Sequence, residues 1–157
     1  MIDDSIPPAT REELDAAEAR ITAWLDRQLG DNPILVAVDR GEPGERRWYA
    51  RLAGEEKDYT TIWMTLGQRS LRFEAYMLPA PEENQEAVFE QLLRRNRQMR
   101  GMAFAIGDED GIFLQGELPV AALDERQLDR IVGSVFAYVE QYFRPALHLA
   151  FASRFRS

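Results

Sequence analysis

The side chains that could perform chemistry are few in this sequence, and their spacing matches no known catalytic or metal site. There is no cysteine, which excludes disulfides, thiolate catalysis and cysteine-ligated metal. The single histidine, His148, falls in an apolar stretch near the C-terminus, and this position favours a structural role. Asp108, Glu109 and Asp110 stand between two glycines. This run favours a turn and lacks the calcium loop with its closing glutamate.

Motifs of phosphate-binding, zinc-protease and serine-hydrolase sites are also missing. The sequence contains no glycine-rich phosphate loop, no HExxH and no G-x-S-x-G, which are the patterns that those chemistries need. Gly133 and Ser134 fall inside a helical stretch, whereas a nucleophile elbow needs a strand-to-helix turn. We therefore predict that the protein is not an enzyme, with no catalytic residue, no bound cofactor and no metal site.

The one basic cluster consists of four arginines, Arg94, Arg95, Arg97 and Arg100. They end a helical stretch, where cations stabilise the negative end of the helix dipole. An acidic peptide or partner surface is the other interpretation. Nucleic-acid binding would need aromatic side chains among the arginines, and none is nearby. The net charge of −8 and the pI of about 4.8 repel phosphate and anionic lipid, so we predict neither nucleic-acid nor membrane partners.

The first ten residues, MIDDSIPPAT, lack the basic and apolar regions of a signal peptide. The longest strongly apolar uncharged run, residues 131–139, is about half of the ~20 residues that a membrane span needs. The expected location is therefore the cytoplasm. Any electrostatic steering by this acidic chain would favour basic partners.

The elements that position these side chains begin with one amphipathic helix. Residues 1–10 are polar and contain prolines, which predicts a loose arm. Thr10 and Glu13 have the spacing of a capping box, and Gly30 followed by Pro33 ends the helix. Five apolar side chains recur on one face of this helix and are expected in the core: Leu14, Ala17, Ile21, Trp24 and Leu25.

Four strand-like runs follow this helix. The first, residues 34–38, is continuously apolar and predicts a buried strand. The next three, residues 46–53, 59–66 and 70–78, alternate between inward and outward side chains and are separated by turns. Short strands at this spacing predict an antiparallel meander.

A central stretch bounded by two Leu-Pro pairs predicts a helix and then a hairpin. The side chains expected on the buried face of this helix are Ala87, Val88, Leu92 and Leu93. Gly101 ends the helix, and residues 102–106 and 112–118 then form the two strands of the hairpin.

A long C-terminal helix completes the pattern. Asp124 caps it, and an apolar side chain recurs every three or four residues. Pro145 interrupts the pattern, and a separate short terminal helix is possible within residues 145–157. The order helix, four strands, helix, two strands, helix predicts an α+β fold, with an antiparallel sheet of about six strands and helices mainly on one face. We find no linker and no internal repeat, so we predict one domain over residues 1–157.

The alternation leaves one face of the sheet without an assigned cover. Tyr49, Trp63 and Tyr76 lie on this face in three successive strands, and Phe113 lies on it in the second hairpin. Mixed aromatic and polar faces are typical of recognition surfaces, although a helix or a second copy could cover this one instead. We predict that these four residues bind a segment of another protein. A homodimer through the same face is also compatible with the pattern.

The chain resembles the YbjN-domain family of bacterial sensory transduction regulators, especially its short actinobacterial members. The matching stretches are residues 48–52, residues 62–76 and the motifs LPAPEEN, LLRRN, MAFAI, GIFLQGELP and LDERQLDRIVGSV. The resemblance implies the fold of type III secretion chaperones, which are small, acidic, often dimeric α+β proteins that hold segments of other proteins. It provides no catalytic residues to carry over to this chain.

Two functions are therefore expected. The first is a non-enzymatic cytoplasmic regulatory module that binds proteins, as a chaperone or adaptor, through the aromatic and polar sheet face. The alternative is a small-ligand sensor with a pocket between the helices and the sheet.

Overall fold

Within residues 5–156, which the computed structural model describes, six strands form one sheet and three α-helices pack against it. The strands are β1 (Leu35–Arg40), β2 (Arg47–Ala53), β3 (Tyr59–Leu66), β4 (Ser70–Leu78), β5 (Met102–Ile106) and β6 (Ile112–Pro119). The helices are α1 (Arg11–Asp31), α2 (Gln85–Asn96) and α3 (Glu125–Ala150). All strand pairs are antiparallel, in the order β1-β2-β3-β4-β6-β5. The predicted fold class and element order are confirmed. In the same residues, no helix is long and apolar enough to cross a membrane.

The start of α1 has the predicted cap. Thr10 Oγ1 accepts from the Glu13 N–H at 3.1 Å, and the Glu13 carboxylate accepts from the Thr10 N–H at 3.0 Å. The capping box is therefore confirmed. Four of the five predicted core residues of this helix are buried, namely Ala17, Ile21, Trp24 and Leu25, and Leu14 is partly buried.

The predicted loose arm falls partly outside the described residues, because positions 1–4 are not described. In the described part, the Ile6 carbonyl accepts from Arg69 Nε at 2.8 Å. The Ala9 N–H donates to the Gln68 carbonyl, also at 2.8 Å. These two hydrogen bonds attach residues 6–9 to the turn between β3 and β4.

β1 is an edge strand, which corrects the prediction of a buried strand over residues 34–38. In this run only Leu35 is buried, whereas Ile34 and Val36 are 38% and 46% exposed. The pairing with β2 shifts between Leu35 and Ala37, and such a bulge leaves one extra residue, Val36, outside the ladder. A continuous apolar run cannot show that a strand has a neighbour on only one side.

The core lies between the helices and one face of the sheet, which we call the helical face. The strand side chains that are fully buried there include Trp48, Ile62, Met64, Leu71 and Leu114. α3 adds the buried stripe Leu128, Ile131, Val132, Val135 and Val139. Each such side chain stabilises the fold by about 1.5–3 kcal/mol through burial. Trp48 Nε1 also donates to Thr22 Oγ1 on α1 at 3.0 Å, so the buried indole keeps a hydrogen bond.

α3 runs without a break through Pro145 to Ala150, and a 3₁₀ turn at Ala152–Phe155 follows. The interruption predicted at Pro145 therefore does not occur. A proline costs a helix interior about 3 kcal/mol. Tyr142 and Ala146, on either side of the proline, are buried, and their packing offsets that cost.

α2 lies at the β5 edge of the sheet and is less buried than the sequence pattern predicts. Val88 and Leu92 are buried as expected, but Ala87 and Leu93 are exposed. At this edge α2 contacts β5 and α3, so its buried stripe is narrow. One residue of each adjacent apolar pair therefore faces solvent.

Asn96, at the end of α2, closes the outer edge of β5 with its side chain. Asn96 Oδ1 accepts from the Phe104 N–H at 2.6 Å, and Asn96 Nδ2 donates to the Phe104 carbonyl at 3.0 Å. The side-chain amide thus pairs with Phe104 as the backbone of a neighbouring strand would. This contact satisfies groups that an edge strand otherwise presents to other chains.

Candidate protein-binding face

The side of the sheet opposite the helices, which we call the open face, contains all four residues predicted to bind a partner: Tyr49, Trp63, Tyr76 and Phe113. The strand register aligns one residue from each strand in a row across this face: Asp39, Tyr49, Trp63, Glu74, Gln115 and Ala103. Trp63 is 49% exposed and Tyr76 is 43% exposed. Within residues 5–156, no helix covers these two side chains.

The four aromatic residues form two pairs across neighbouring strands. The ring centroids of Tyr49 and Trp63 are 5.8 Å apart with an interplanar angle of 89°, and those of Tyr76 and Phe113 are 5.4 Å apart at 69°. Edge-to-face contacts of this kind stabilise by about 0.5–1.5 kcal/mol each. They also restrict the orientations of the four rings. Alternation along the strands predicts the shared face but not the pairing, which depends on the register between strands.

A hollow of about 660 Å³ adjoins Trp63 on the open face, where β4, β5 and β6 meet. Gly116 forms part of its lining, and a Cβ at this position would lie 2.2 Å from the Gly101 carbonyl oxygen and 2.5 Å from the Phe73 ring. Only glycine therefore fits this close approach. The polar side chains that line the hollow are Arg47, Thr65, Arg72, Glu74, Gln115 and Glu117. The hollow thus presents both charges beside an aromatic side chain.

Two side chains of the open face have shifted pKa values. A hydrogen bond with the Tyr49 side chain is the main cause that raises the pKa of Arg47, so the guanidinium keeps its charge. Burial, together with the nearby Glu109 carboxylate, raises the pKa of Tyr76. The Tyr76 phenol therefore remains a neutral hydrogen-bond donor at neutral pH. The open face combines fixed rings with a permanent cation and a neutral donor.

The two edges of the sheet differ. On β5, Asn96 pairs with the outward backbone groups of Phe104, and α2 contacts the strand, whereas no strand within residues 5–156 pairs with the outer side of β1. The Gly41 N–H donates to the Arg47 carbonyl. Because antiparallel pairs alternate, this bond turns the backbone groups of Val38 and Arg40 outward. Those groups are able to pair with an added strand.

The other residues with reactive side chains do not assemble a site. His148 is exposed near the end of α3, and its ring centroid lies 4.3 Å from that of Phe155. The acidic run Asp108–Asp110 forms a short 3₁₀ turn, in which Glu109 and Asp110 have positive φ values of 55° and 59°. In the described part of the chain, no group of three or more His, Asp or Glu residues could hold a metal ion.

One polar contact without a sequence signal fixes the loop between β2 and β3. Glu140 on α3 accepts from the N–H groups of Glu55 and Glu56 at 2.9 Å and of Lys57 at 3.2 Å. Gly54 leaves room for this carboxylate, because a Cβ at position 54 would lie 2.1 Å from Glu140 Oε1. The donors are 83 to 85 residues away from Glu140 in the chain, so sequence patterns predict only the turn.

The sequence matches, over residues 18–148, the model of a family described as "YbjN: Putative bacterial sensory transduction regulator". An uncharacterized protein of Mycobacterium tuberculosis (strain H37Rv) is 36% identical over 102 residues, which are 65% of this chain and 56% of that protein. An uncharacterized protein of Mycobacterium leprae is 33% identical over 138 residues, or 84% of this chain and 75% of that protein. The chain thus spans little more than half the length of the first of these relatives.

Comparison with solved structures finds similar folds in protein complexes. The ExsC–ExsE complex matches with a TM-score of 0.58 and 18% identity, over 81% of this chain and 93% of the matched chain. The heterodimeric ExoU–SpcU complex, from the type III secretion system of Pseudomonas aeruginosa, matches with a TM-score of 0.51 and 18% identity, over 80% and 98%. A Yersinia pestis type III secretion chaperone, SycH, in complex with a fragment of YscM2, matches with a TM-score of 0.48 and 14% identity, over 74% and 94%. The fold expected from the resemblance is confirmed.

Proposed function

The chain belongs to the YbjN family, and we propose that it is a non-enzymatic module that binds another protein through the open face. The main observation is that two ordered aromatic pairs, Tyr49 with Trp63 and Tyr76 with Phe113, lie on a sheet face that remains exposed. Side chains that are ordered before binding lose little conformational entropy in the complex. The similar folds found in the ExsC–ExsE and ExoU–SpcU complexes support a chaperone- or adaptor-like role.

Two binding modes for an extended partner segment fit this geometry. In the first, the segment lies across the open face, with apolar side chains on Trp63 and Tyr76 and a polar side chain in the adjoining hollow. In the second, it pairs with the outward backbone groups of Val38 and Arg40 and adds a strand to β1. The exposed aromatic area favours the first mode, because aromatic side chains dominate the energetics of interfaces.

Charge favours a partner segment that contains lysine or arginine. The whole chain has a net charge of −8, which attracts basic segments at long range. Asp39 and Glu74 flank the Tyr49–Trp63 pair in the same cross-strand row. Their carboxylates are placed to accept hydrogen bonds from a cation next to an apolar anchor.

The alternative function, a small-ligand sensor with a pocket between the helices and the sheet, has less support. Fully buried side chains such as Trp48, Ile62 and Leu114 fill the helical face. A cavity between α2 and α3 has a volume of about 130 Å³, well below the roughly 300–1,000 Å³ typical of small-molecule sites. A larger hollow of about 530 Å³ between α1 and the β1–β2 turn is lined mainly by charged side chains, whereas such sites are mostly apolar. A second copy of the chain on the open face is a form of protein binding and would bury Trp63.

A pulldown from native lysate tests the proposal by comparing the wild type with the Trp63→Ala/Tyr76→Ala double variant. A matched control, Phe155→Ala, removes an aromatic side chain that is 50% exposed outside the open face. We expect the wild type and the control to recover the same partner and the double variant to lose it. Circular dichroism and thermal unfolding verify that all three proteins are folded.

The outcomes separate the candidate functions. A folded double variant that keeps every partner would show that the open face is not the binding surface. Light scattering that finds a wild-type dimer, and a monomeric double variant, would identify a second copy as the occupant. A thermal-shift screen with metabolites tests the ligand sensor, for which one compound raises the melting temperature without any protein partner. Cell fractionation tests the cytoplasmic location, which stays a prediction.

A further inference from the structure

A second exposed apolar surface lies on the helical side of the sheet, around Leu93 of α2. Leu93 is 67% exposed and Ile106 is 55% exposed, the two highest values among the exposed large hydrophobic residues of the described chain. Phe89, one turn before Leu93, is only partly buried. Arg97 follows Leu93 by one turn, and its φ of −61° and ψ of −26° continue the helical conformation. Phe89, Leu93 and Arg97 therefore lie along one helix face.

The contact between Asn96 and Phe104 fixes how far along α2 and β5 the residues Leu93 and Ile106 lie. The segment 97–101 reverses the chain between α2 and β5, and the Asn96 side chain bonds to the Phe104 backbone. Leu93 lies three residues before Asn96, a rise of about 4.5 Å along a helix. Ile106 lies two residues after Phe104, about 6.6 Å along a strand. The two exposed side chains therefore lie at similar heights on two elements that contact each other.

This apolar surface lies beside the most basic segment of an otherwise acidic chain. The sequence has 27 acidic and 19 basic residues, yet residues 94–100 contain four arginines and no acidic residue. Arg94 pairs with Glu90 at 2.9 Å. Arg97 and Arg100 are exposed, and neither forms an ion pair within residues 5–156. Two cations therefore remain available to a ligand.

We propose that this surface, the α2 patch (Phe89, Leu93, Arg97, Arg100 and Ile106), binds an acidic amphipathic segment of another protein. The apolar side chains of that segment cover Leu93 and Ile106, and its carboxylates form charge-assisted hydrogen bonds with Arg97 and Arg100. The net charge of −8 repels an acidic segment from the rest of the surface. The arginines therefore determine where it binds. The α2 patch is separate from the open face, and the inference does not depend on the proposed function.

The helix dipole alone does not account for this arrangement. Cations stabilise the negative end of a helix only within its last turn, which contains Arg94 and Arg95. Arg100 lies four residues beyond Asn96, the last residue of α2. The dipole also gives no reason for the exposure of Leu93 and Ile106 next to the arginines.

Fluorescence anisotropy with three labelled synthetic helices tests the proposal on the intact chain. The first probe has leucine at every third or fourth position and glutamate elsewhere. In the second probe lysine replaces glutamate, and in the third serine replaces leucine. We expect the wild type to bind the first probe more tightly than the third, with an affinity that falls as salt is added. The second probe is the kind of segment that the open face is proposed to bind, so its binding should depend on Trp63 and Tyr76 and not on Leu93.

Variants of the chain locate the binding surface. Leu93→Ser should weaken binding of the first probe about tenfold, because it removes the central apolar contact. Arg97→Glu/Arg100→Glu should also weaken it about tenfold or more, because attraction becomes repulsion. The matched controls Leu29→Ser and Arg11→Glu change exposed residues of α1 and should bind the probe as the wild type does.

The result that overturns the proposal is equal binding of the glutamate and lysine probes to the Trp63→Ala/Tyr76→Ala double variant, or unchanged affinity for the glutamate probe in both the Leu93 and the arginine variants. A wild-type dimer that Leu93→Ser converts to a monomer would also overturn it, since the α2 patch would then bind a second copy. The double variant Trp63→Ala/Tyr76→Ala should bind the acidic probe normally. If this double variant failed to bind the acidic probe, the probe's binding site would be the open face and not the α2 patch. Because Leu93 and both arginines are exposed, their variants are expected to fold, and circular dichroism verifies this.

Discussion

Replacing Asn96 with alanine tests how the β5 edge of the sheet is held closed. The substitution removes the hydrogen bonds of 2.6 Å and 3.0 Å between the Asn96 side chain and the Phe104 backbone. Each bond contributes about 0.5–1.5 kcal/mol net, and leaving part-buried backbone groups unpaired adds to the loss. We therefore expect the free energy of unfolding to fall by about 2 kcal/mol. For a folded chain of this length, that loss lowers Tm by roughly 4–8 °C.

Urea unfolding measures this loss. The midpoint should shift while the slope of the free energy with urea stays the same, because the surface exposed on unfolding is unchanged. Hydrogen exchange gives a local readout, since the Phe104 N–H should exchange faster once its acceptor is gone. Gln98→Ala is the matched control, because it removes an amide side chain of similar length from an exposed position two residues further on.

An Asn96→Ala variant that unfolds within about 0.5 kcal/mol of the wild type, the range of ordinary surface substitutions, would contradict this reasoning. Unchanged exchange at Phe104 would contradict it independently. A loss of the same size in Gln98→Ala would show that the end of α2 is sensitive to any truncation.

Three further contacts give predictions of their own. Gly116→Ala should destabilise the fold by about 1–3 kcal/mol, because the added Cβ lies 2.2 Å from the Gly101 carbonyl oxygen; an unchanged urea midpoint would refute this. Glu140→Ala leaves three loop N–H groups without their acceptor, so we expect a loss of about 2 kcal/mol and faster hydrogen exchange confined to that loop. Hydrogen bonds from Ser153 lower the pKa of Glu83, so their stabilisation is present above the ordinary carboxyl pKa and is lost as pH falls through the lowered value. Ser153→Ala should therefore weaken the acid dependence of stability, and a pH curve identical to that of the wild type would exclude this contact as its source.

Sequence patterns predict those features that depend on the local geometry of the chain. The capping box of Thr10 and Glu13 involves residues three apart, and the structure contains it. Trp63 and Tyr76 share the open face because side chains alternate along a strand, so their position follows from counting residues. The order of strands and helices is also predicted, because turn residues and apolar periodicity are local features of the sequence.

The wrong predictions concern residues whose environment depends on neighbours in space. The apolar run around Val36 gives no sign that β1 lies at an edge. Leu93 follows the buried Leu92, but α2 has too few neighbours to bury both. Pro145 would end an isolated helix, whereas in α3 the buried side chains around it maintain the helix. Intrinsic preferences are overridden in each case by packing that the sequence does not display.

The sequence patterns also fail to predict two polar contacts, because these contacts join residues that are brought together only by the fold. The sequence shows Asn96 as a polar residue near a helix end but does not show that its side chain bonds to β5. Glu140 accepts hydrogen bonds from a loop that lies 83 to 85 residues earlier in the chain. Neither contact has a spacing rule that a sequence pattern could follow.

The position of α3 in the chain has a consequence for synthesis on the ribosome. All six strands leave the ribosome before α3, and α3 supplies part of the cover of the helical face and the carboxylate of Glu140. Until α3 emerges, only α1 and α2 cover the helical face of a nascent sheet, so apolar surface stays exposed on both of its faces. Contacts between distant parts of a chain slow folding, and exposed apolar surface in unfinished chains favours aggregation. We therefore expect the nascent sheet to need protection from aggregation until α3 has been made.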